Sequence, residues 1–598
     1  MLRSSWFGII LLIVLLCISF SVEVSAQAVP VRVAHVDGQL RLLRGGEPYF
    51  IQGAGGNGSR TLLVECGGNS IRTWGIGPET GAELDEAHRL GLTVTLGIWL
   101  GHKQHGFRYD DPVMVRQQFE DVKAAVVKYK DHPAVLMWGI GNEMEIDNES
   151  DALWQAIGEI AAMVKQVDPN HPTMTVIAEI GKDKVQQIHK HCPEIDVIGV
   201  NSYGGGATVA TRYRETGATK PFVLTEFGPP GTWETELNSF KAAPELTSTE
   251  KSRHYRSAYQ GSVSGAKEMC LGSYVFTWGH KIEATSTWFG MLLPDGSRLA
   301  AVDTMQELWT GKSPDVKCPE IKSLQITSND QVGPGDTVSA RVTLGAGDSA
   351  AIVHWELQRE QSNYSTAGTG APGTSAYPDA IAENSLLEVN VKMPQSGGMY
   401  RLYCYVRAGD KRAAVGSLPI FVRGRARLEK AAVASVPLTI YGDQATALLF
   451  SPSGYMGNTA AIKMQEDCDD NPHSGKTCLR VQYNDVGNWG GVIWQHPAND
   501  WGNSAGGYNL SDAEKLVFWA RGARGGEKIK FGVGAIGMEM KYHDSCKAEI
   551  EVTLTPQWKE YTIDLSEKEL ARIKSGFLWS LSGQGESLEF FLDDITYQ

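Results

Sequence analysis

The chain has 598 residues, 42% of them hydrophobic and 21% charged, with a formal net charge of −14. This length exceeds what a single hydrophobic core supports, so we expect several domains. The acidic balance argues against nucleic acid and anionic membrane surfaces as main partners, because both bind through basic patches, and it suits a neutral substrate such as a polysaccharide.

The N-terminus has the pattern of a secretory signal peptide. Arg3 precedes the apolar run Phe7–Phe20, and the small residues Val24-Ser25-Ala26 follow that run. Polar residues end the run too early for a full membrane span. We therefore expect residues 1–26 to be cleaved off and the mature protein to be secreted or periplasmic, without a stable membrane span.

An exported protein can form disulfide bonds. Cys468 and Cys478 bracket the segment 469–475, which is rich in turn-forming residues. A tight turn brings the ends of such a segment together. We therefore predict a disulfide between these two cysteines.

Residues 27–313 alternate short apolar runs with amphipathic helical patterns. The predicted strands are Tyr49–Gly53, Ser70–Trp74, Thr93–Ile98, Val135–Gly141, Thr173–Ile177, Val197–Asn201, Phe222–Glu226 and Ser273–Trp278. The predicted helices are Glu79–Leu90, Pro112–Lys130, Ser150–Val167, Lys182–Lys190, Val209–Glu215 and Thr249–Met269. This alternation predicts a (β/α)8 TIM barrel, preceded by a hairpin at Val31–Glu47 that caps its bottom.

Two further domains are predicted after the barrel. Residues 318–423 contain short alternating runs separated by Gly, Ser and Pro, which indicates an immunoglobulin-like or fibronectin-like β-sandwich. Residues 434–598 contain enough strand patterns for a jelly-roll β-sandwich, with one short helix predicted at Glu567–Lys574.

Two glutamates end strands of the predicted barrel. Glu143 follows the run Val135–Gly141, and Glu226 ends the run Phe222–Glu226. Active sites of barrels lie at the C-terminal ends of the strands, and glycosidic bond cleavage requires two carboxyl groups there. One of them must be protonated to donate to the leaving oxygen, and the other must be ionised. We predict that Glu226 is the nucleophile.

Two residues at neighbouring strand ends could support that nucleophile. Arg72 lies on the second strand, where an arginine inside the barrel mouth must be paired. Tyr203 follows the sixth strand and could donate its hydroxyl to the same carboxylate. The alternative for Tyr203 is a core aromatic with a satisfied hydroxyl, and the sequence leaves both interpretations open.

Aromatic side chains near other strand ends could bind the apolar faces of sugar rings. Trp278, at the end of the eighth strand, is predicted to form the floor of the sugar site. Other residues on predicted top-face loops could line further subsites, and these are Trp74, Trp99, His102, His105, Trp233, His280 and Trp288.

Together, these elements resemble the clan A retaining glycoside hydrolases, such as families 2 and 5. The elements that match, in chain order, are Arg72, Asn142-Glu143, Tyr203, Glu226 and Trp278. The resemblance covers roughly residues 30–312. It implies that Glu143 is the general acid/base, that Asn142 binds the sugar 2-hydroxyl, and that Glu226 is the nucleophile. Arg72 and Tyr203 would then support Glu226, and Trp278 would form the floor of the −1 subsite.

The last segment resembles a jelly-roll carbohydrate-binding module. The resemblance lies in the closing strand pattern 588–595, and tryptophans that could stack on sugars are Trp489, Trp494, Trp501 and Trp519. A structural sandwich with aromatic core residues is the alternative. Such modules often hold a structural calcium, for which Asp593 is the candidate ligand.

These observations predict a secreted retaining β-glycosidase that hydrolyses β-linked polysaccharide or oligosaccharide, with a glucan as the expected substrate. The chain has no H-E-x-x-H motif, and we expect no organic cofactor or catalytic metal. Two alternatives remain, which are a transglycosylase using the same two glutamates and a non-catalytic polysaccharide-binding protein.

Overall fold

The computed structural model describes residues 27–598 except 147, 149, 346–350, 362–373, 375, 384–385, 410, 425–430 and 444–447. The signal peptide predicted at residues 1–26 lies outside the described residues. Among the described helices, none has the length and apolar character needed to cross a membrane.

Eight parallel strands close into a barrel, as predicted. The barrel strands, in chain order, are Ile51–Gly55, Ser70–Arg72, Thr93–Ile98, Val135–Asn142, Thr173–Ala178, Val197–Asn201, Phe222–Glu226 and Cys270–Phe276. Residues 135–141 of the fourth strand are all buried, because the barrel interior covers one face and the outer helices cover the other. The continuous apolar runs in the sequence reflect this two-sided burial.

Eight α-helices surround the barrel in the described part of the chain. They are Arg60–Glu65, Thr80–Arg89, Pro112–Tyr129, Asp151–Val167, Lys182–His191, Val209–Glu215, Ser248–Ala258 and Ala300–Thr310. The first and the last were not predicted. The long helix predicted at Thr249–Met269 is wrong in its second half, because the α-helix gives way to a π-helical turn at Tyr259–Val263 and a 3-10 turn at Ser264–Ala266.

Side-chain caps fix where several barrel helices begin. Asp111 accepts hydrogen bonds from the backbone N–H groups of Val113 and Met114, and Pro112 occupies the first turn, where its missing N–H costs nothing. Thr247 and Glu250 form a reciprocal capping box at the start of the seventh helix. These caps satisfy N–H groups that the helices themselves leave without partners.

A small antiparallel sheet covers the bottom of the barrel. Its strands are Val31–Val36, Gln39–Arg44 and Glu47–Tyr49, so the predicted hairpin is present and gains a third strand. Val31 and Leu42 pack against buried barrel residues such as Met137. The bottom is therefore closed, and only the opposite end of the barrel can receive a substrate.

The segment after the barrel forms the predicted β-sandwich. One sheet contains Ile321–Ile326, Thr337–Leu344 and Glu388–Lys392, and the other contains Gln331–Val332, Arg412–Val422, Gly398–Ala408 and Ile352–Arg359. Buried residues alternate along these strands, as in Thr337–Leu344, because each sheet has one face on the core.

The C-terminal segment forms a second, larger sandwich. One sheet contains Leu438–Tyr441, Ile462–Cys468, Cys478–Tyr483, Leu588–Tyr597, Lys515–Gly522 and Lys559–Asp564. The other contains Ser451–Gly457, Trp489–Gln495, Ser575–Ser582, Lys528–Val533 and Ala548–Thr553, and a separate strand pair joins Ala432–Val433 to Tyr508–Asn509. The predicted multidomain fold of a barrel followed by two sandwiches is confirmed.

The short helix predicted at Glu567–Lys574 is wrong. The backbone N–H of Ile573 donates to the carbonyl of Tyr508, and that of Lys574 donates to the carboxylate of Asp544. The segment therefore satisfies its backbone groups through tertiary partners rather than through helical bonds.

A buried ionic cluster joins the barrel to the middle sandwich. Glu245 accepts from Lys251 of the barrel at 2.5 Å and from Ser417 of the sandwich at 2.7 Å. Arg401 of the sandwich lies 3.9 Å from Glu245 and pairs with Glu360 at 2.7 Å. The hydroxyl of Thr287, in the loop after the eighth barrel strand, also donates to Glu245 at 2.8 Å. The cluster therefore connects the loop after the eighth barrel strand to both the barrel and the middle sandwich.

Candidate active site

The two predicted glutamates line one cavity at the C-terminal end of the barrel. Its volume is about 800 Å³, and Glu143 and Glu226 both face it. Glu226 is the last residue of the seventh strand, and Glu143 follows the fourth strand with a positive φ of 54°. This left-handed conformation is uncommon for a residue other than glycine, and it occurs here at the mouth of the barrel.

Three side chains donate hydrogen bonds to the carboxylate of Glu226. Arg72 Nη1 donates to Oε1 at 2.8 Å, and Trp74 Nε1 donates to the same oxygen at 2.7 Å. The hydroxyl of Tyr203 donates to Oε2 at 2.6 Å. These donors come from the ends of two strands, the second for Arg72 and Trp74 and the sixth for Tyr203. They fix the carboxylate in one orientation, as a carboxylate that must attack a fixed atom requires.

The Tyr203 hydroxyl stays protonated at this position. Burial and the negative charge of Glu226 raise the pKa of Tyr203 well above its usual value. The hydrogen bond to Glu226 decides between the two interpretations that the sequence left open. The ring of Tyr203 also packs against Phe276 and Phe289.

Glu143 is surrounded differently from Glu226. Asn201 Nδ2 donates to Oε1 of Glu143 at 2.8 Å. Burial, and then the charge of Glu226, raise the pKa of Glu143 to about 7, while the hydrogen bond from Asn201 opposes this rise. A carboxyl group with such a pKa holds its proton at mildly acidic pH and can donate it to a leaving group.

Asn142 links the two glutamates. Its Oδ1 accepts from Arg72 Nη2 at 2.6 Å and from Asn201 Nδ2 at 3.2 Å. Arg72 and Asn201 are the same residues that bind Glu226 and Glu143, respectively. One hydrogen-bonded chain therefore runs from one carboxyl group to the other and fixes their relative position.

Several of the other predicted aromatic residues also line the cavity. Among the predicted set, the cavity is lined by Trp74, Trp99, His102, Trp233 and His280. Trp99 and His102 lie together, with ring centroids 4.9 Å apart. The side chain of His105 lies outside the described part of the structure, and Trp288 is buried with its indole N–H donating to the carbonyl of Pro230.

The predicted role of Trp278 is wrong. Trp278 is only 2% exposed, packs near Trp309, and donates its indole N–H to the carbonyl of Ser59 at 3.0 Å. Phe276, two residues earlier, lines the cavity instead. The side chain of Trp278 thus fills the space behind the barrel wall rather than facing a substrate.

Some cavity residues had not been predicted. Among them are Asn201, which ends the sixth strand, and the charged residues Glu179, Glu234, Lys281 and Glu283. Asn201 could have been found by the same strand-end rule that selected Glu143 and Glu226. The same rule would also have selected Glu179, which directly follows the fifth strand. Glu234, Lys281 and Glu283 carry no pattern in the sequence, because their place depends on how each loop folds over the barrel.

The carboxyl group of Asp593 does not fit a calcium site. Its Oδ2 accepts from the backbone N–H groups of His473 and Ser474, and its Oδ1 accepts from that of Asp594. Both oxygens thus face hydrogen-bond donors, whereas calcium requires oxygens that point at a common centre. In the described residues no group of three or more His, Cys, Asp or Glu side chains could hold a metal ion.

The predicted disulfide is not present in the structure. Cys468 and Cys478 lie opposite each other on neighbouring strands, but both are free thiols. The turn between them brings the residues together as predicted without a covalent bond.

An eight-stranded parallel barrel with glutamates after its fourth and seventh strands is the arrangement of the clan A glycoside hydrolases. Residues 83–250 match the family model described as glycosyl hydrolases family 2, TIM barrel domain.

Two named proteins are similar to segments of the chain. Mannan endo-1,4-beta-mannosidase F of Aspergillus clavatus is 28% identical over 86 residues, which are 14% of this chain and 19% of that protein. A putative beta-glucuronidase of Formosa agariphila is 28% identical over 180 residues, which are 28% of this chain and 15% of that protein. The chain thus matches less than a fifth of the length of either relative.

Solved structures of glycosidases also align with the chain. Beta-glucuronidase 2 of Bacteroides uniformis aligns with a TM-score of 0.37 and 13% identity, covering 94% of this chain and 67% of that one. A family 5 mannosidase of Rhizomucor miehei aligns with a TM-score of 0.36 and 16% identity, covering 47% and 97%. The barrel thus has a central segment that matches the TIM barrel domain of glycosyl hydrolases family 2.

Proposed function

We propose that this chain is a secreted retaining β-glycosidase that hydrolyses β-linked polysaccharide or oligosaccharide, and that a β-glucan is its first expected substrate. The observation that carries the proposal is the contrast between two carboxyl groups in one cavity. Glu226 accepts three hydrogen bonds, one of them from a guanidinium, whereas the pKa of Glu143 is raised to about 7. An acid and a nucleophile are the two groups that glycoside cleavage needs.

The proposed reaction has two steps. In the first, Glu226 attacks the anomeric carbon, while Glu143 donates its proton to the oxygen of the departing sugar, and a glycosyl ester forms on Glu226. In the second, Glu143 takes a proton from water, the resulting hydroxide attacks the anomeric carbon, and the bond to Glu226 breaks. The proton is back on Glu143 and both carboxyl groups return to their starting states.

The remaining residues would position these groups. Arg72, Trp74 and Tyr203 hold Glu226 in place through the hydrogen bonds described above. The two bonds that Asn142 Oδ1 accepts fix its amide, and we assign the amide nitrogen of Asn142 to the sugar 2-hydroxyl. Phe276 replaces Trp278 as the aromatic residue of the eighth strand that lines the site.

A depolymerisation screen tests the activity. The purified chain is incubated with β-glucans, mannans, xylans and galactans, and the release of reducing ends is measured. Mannan is included because the name of the Aspergillus relative contains it. Release from none of these polymers and their oligosaccharides would contradict the proposal, and products longer than the substrate would indicate transglycosylation.

The retaining mechanism has a separate test. The anomer formed in the first seconds of hydrolysis is identified by NMR, with spontaneous mutarotation as the reference. We expect the β-anomer to appear first from a β-linked substrate. Appearance of the α-anomer first would exclude the ester on Glu226.

Secretion and polysaccharide binding by the last domain complete the proposal. Protein recovered from the medium or periplasm should begin at Gln27. In the C-terminal sandwich, Tyr455 is exposed and Trp489 and Trp501 are partly exposed, whereas Trp494 is buried in the core. We assign polysaccharide contact to the exposed rings, and replacement of Tyr455 and Trp489 by alanine should reduce retention on insoluble polymer. Unchanged retention on every polymer would make this domain purely structural.

A further inference from the structure

The cavity that holds Glu143 and Glu226 is strongly acidic. Five glutamates line it, and these are Glu143, Glu179, Glu226, Glu234 and Glu283. Among the described residues of its lining, one, Lys281, is a lysine or arginine. The two catalytic candidates account for two of the carboxyl groups, and glycoside cleavage alone does not explain the other three.

The cations nearest to the cavity each have a carboxylate partner. Arg72 pairs with Glu226 at 2.8 Å, and Lys281 pairs with Glu283 at 2.5 Å. Arg212 pairs with Glu179 at 2.7 Å. A negatively charged group on a substrate would have to displace one of these carboxylates from its cation.

Lys281 is further held by its surroundings. Its ammonium group lies 5.0 Å from the ring centroid of Phe276, which itself lines the cavity, and Glu283 is only 8% exposed. Burial lowers the pKa of His280, so its imidazole is neutral near pH 7 and adds no positive charge. The ammonium group of Lys281 is thus already paired with the carboxylate of Glu283.

We infer that the sugar site accepts sugars without a carboxylate group and excludes uronic acids. Glu283 contributes to this selectivity because its ion pair with Lys281 keeps that cation from binding a substrate carboxylate. The inference rests on the proposed glycosidase function and deepens it. It concerns the substrate class of the same site, and it differs from the activity that the name of the Formosa relative contains. A uronate would add a negative charge to a cavity that is already lined by Glu179, Glu226, Glu234 and Glu283, and bringing like charges together is unfavourable.

Matched substrate pairs test the inference. Each pair has one neutral member and one oxidised at C6, as in an aryl β-D-glucoside with the corresponding β-D-glucuronide, and cellotetraose with its uronic acid form. We expect kcat/KM for the neutral member to be higher by roughly 100-fold or more. Preference for the uronide would overturn the inference and leave the proposed function intact, whereas hydrolysis of no member would contradict the proposed function itself.

Glu283→Gln tests the residue that the inference names. The amide keeps the shape of the side chain and removes its charge, so Lys281 becomes able to bind a substrate carboxylate. We expect the ratio of kcat/KM for uronide over neutral sugar to rise roughly tenfold. Glu236→Gln is the matched control, because Glu236 is exposed on the neighbouring loop and lies outside the cavity lining.

An equal change in both variants would show that overall charge, and not Glu283, sets the preference. If Glu283→Gln does not fold, inhibition of the unmodified enzyme by a neutral sugar lactone and by its C6-acid counterpart gives the same comparison. Tighter inhibition by the acid lactone would overturn the inference.

Discussion

Two glutamates in the same barrel, Glu143 and Glu245, are both buried, yet their pKa values move in opposite directions. Burial raises the pKa of Glu143 to about 7, and the charge of Glu226 adds to the rise. Burial also acts to raise the pKa of Glu245, but Lys251 and Arg401 outweigh it and lower the value to about 2. Burial alone therefore does not set the protonation state of a carboxyl group in this fold.

The difference comes from the nearest partners. Glu143 has an amide donor, Asn201, and an anionic neighbour, whereas Glu245 has an ammonium group in contact and three hydroxyl donors, Thr285, Thr287 and Ser417. The first arrangement keeps a proton available for chemistry, and the second keeps a charge fixed for structure. The four predictions below test this contrast, starting with the change that should have the largest effect.

Glu226→Gln should reduce glycoside hydrolysis by roughly 10⁴-fold or more, because the amide cannot form the ester intermediate. It also removes the charge that helps to raise the pKa of Glu143. Hydrolysis of an activated aryl glycoside measures the loss, and circular dichroism checks that the fold is intact. Azide should restore turnover of the Glu226→Ala variant and give a glycosyl azide of inverted configuration. Retention of wild-type activity in a folded variant would remove Glu226 from the mechanism.

Glu245→Gln should destabilise the junction between barrel and middle sandwich by about 3–5 kcal/mol, because it leaves Lys251 buried without its anionic partner. Differential scanning calorimetry of the full chain at pH 7 measures the effect. Glu236→Gln, which removes an exposed charge, is the control and should change little. Because the pKa of Glu245 is depressed to about 2, its contribution is full above about pH 4.5 and is lost as the pH falls toward 2. Equal stability of Glu245→Gln and the wild type at pH 7 would contradict this account.

The rate of hydrolysis should depend on the proton held by Glu143. Above pH 7, kcat/KM should fall about tenfold per pH unit, because Glu143 must be protonated to donate to the leaving oxygen. The profile is measured on an unactivated glycoside, for which protonation matters most. A profile that stays level to pH 9 would mean that another group supplies the proton.

Glu143→Gln should make the protein slightly more stable above pH 7. The pKa of Glu143 is higher in the folded protein than in the unfolded chain, so folding becomes less favourable as the pH rises from about 4.5 through 7. The uncharged amide removes this cost, and the variant should melt a few degrees higher than the wild type at pH 8. Below pH 4.5 the two should agree. A lower melting temperature for the variant at pH 8 would contradict the assignment.

The barrel and its paired glutamates were predictable because they depend on local patterns. Apolar runs buried on both faces identified the strands, and the C-terminal ends of those strands identified Glu143, Glu226 and Arg72. Trp278 was misplaced because a position two residues past the last strand depends on how the chain turns, and here Phe276 faces the cavity. Two ion pairs, Lys281 with Glu283 and Glu245 with Arg401, depend on how loops and domains pack. Hydrophobic periodicity in the sequence carries no information about such packing.

The C-terminal sandwich lies directly against the loop that carries His102. Gly106 has a φ of 90°, and a methyl group there would lie 3.0 Å from the Cβ of Ser582 in the sandwich. Gly585, in the next turn of that domain, likewise has no room for a methyl group beside Met114. The sandwich therefore packs against the same loop that lines the cavity through His102 and Gln104. A polymer chain that leaves the cavity over this loop would reach the surface of the sandwich directly.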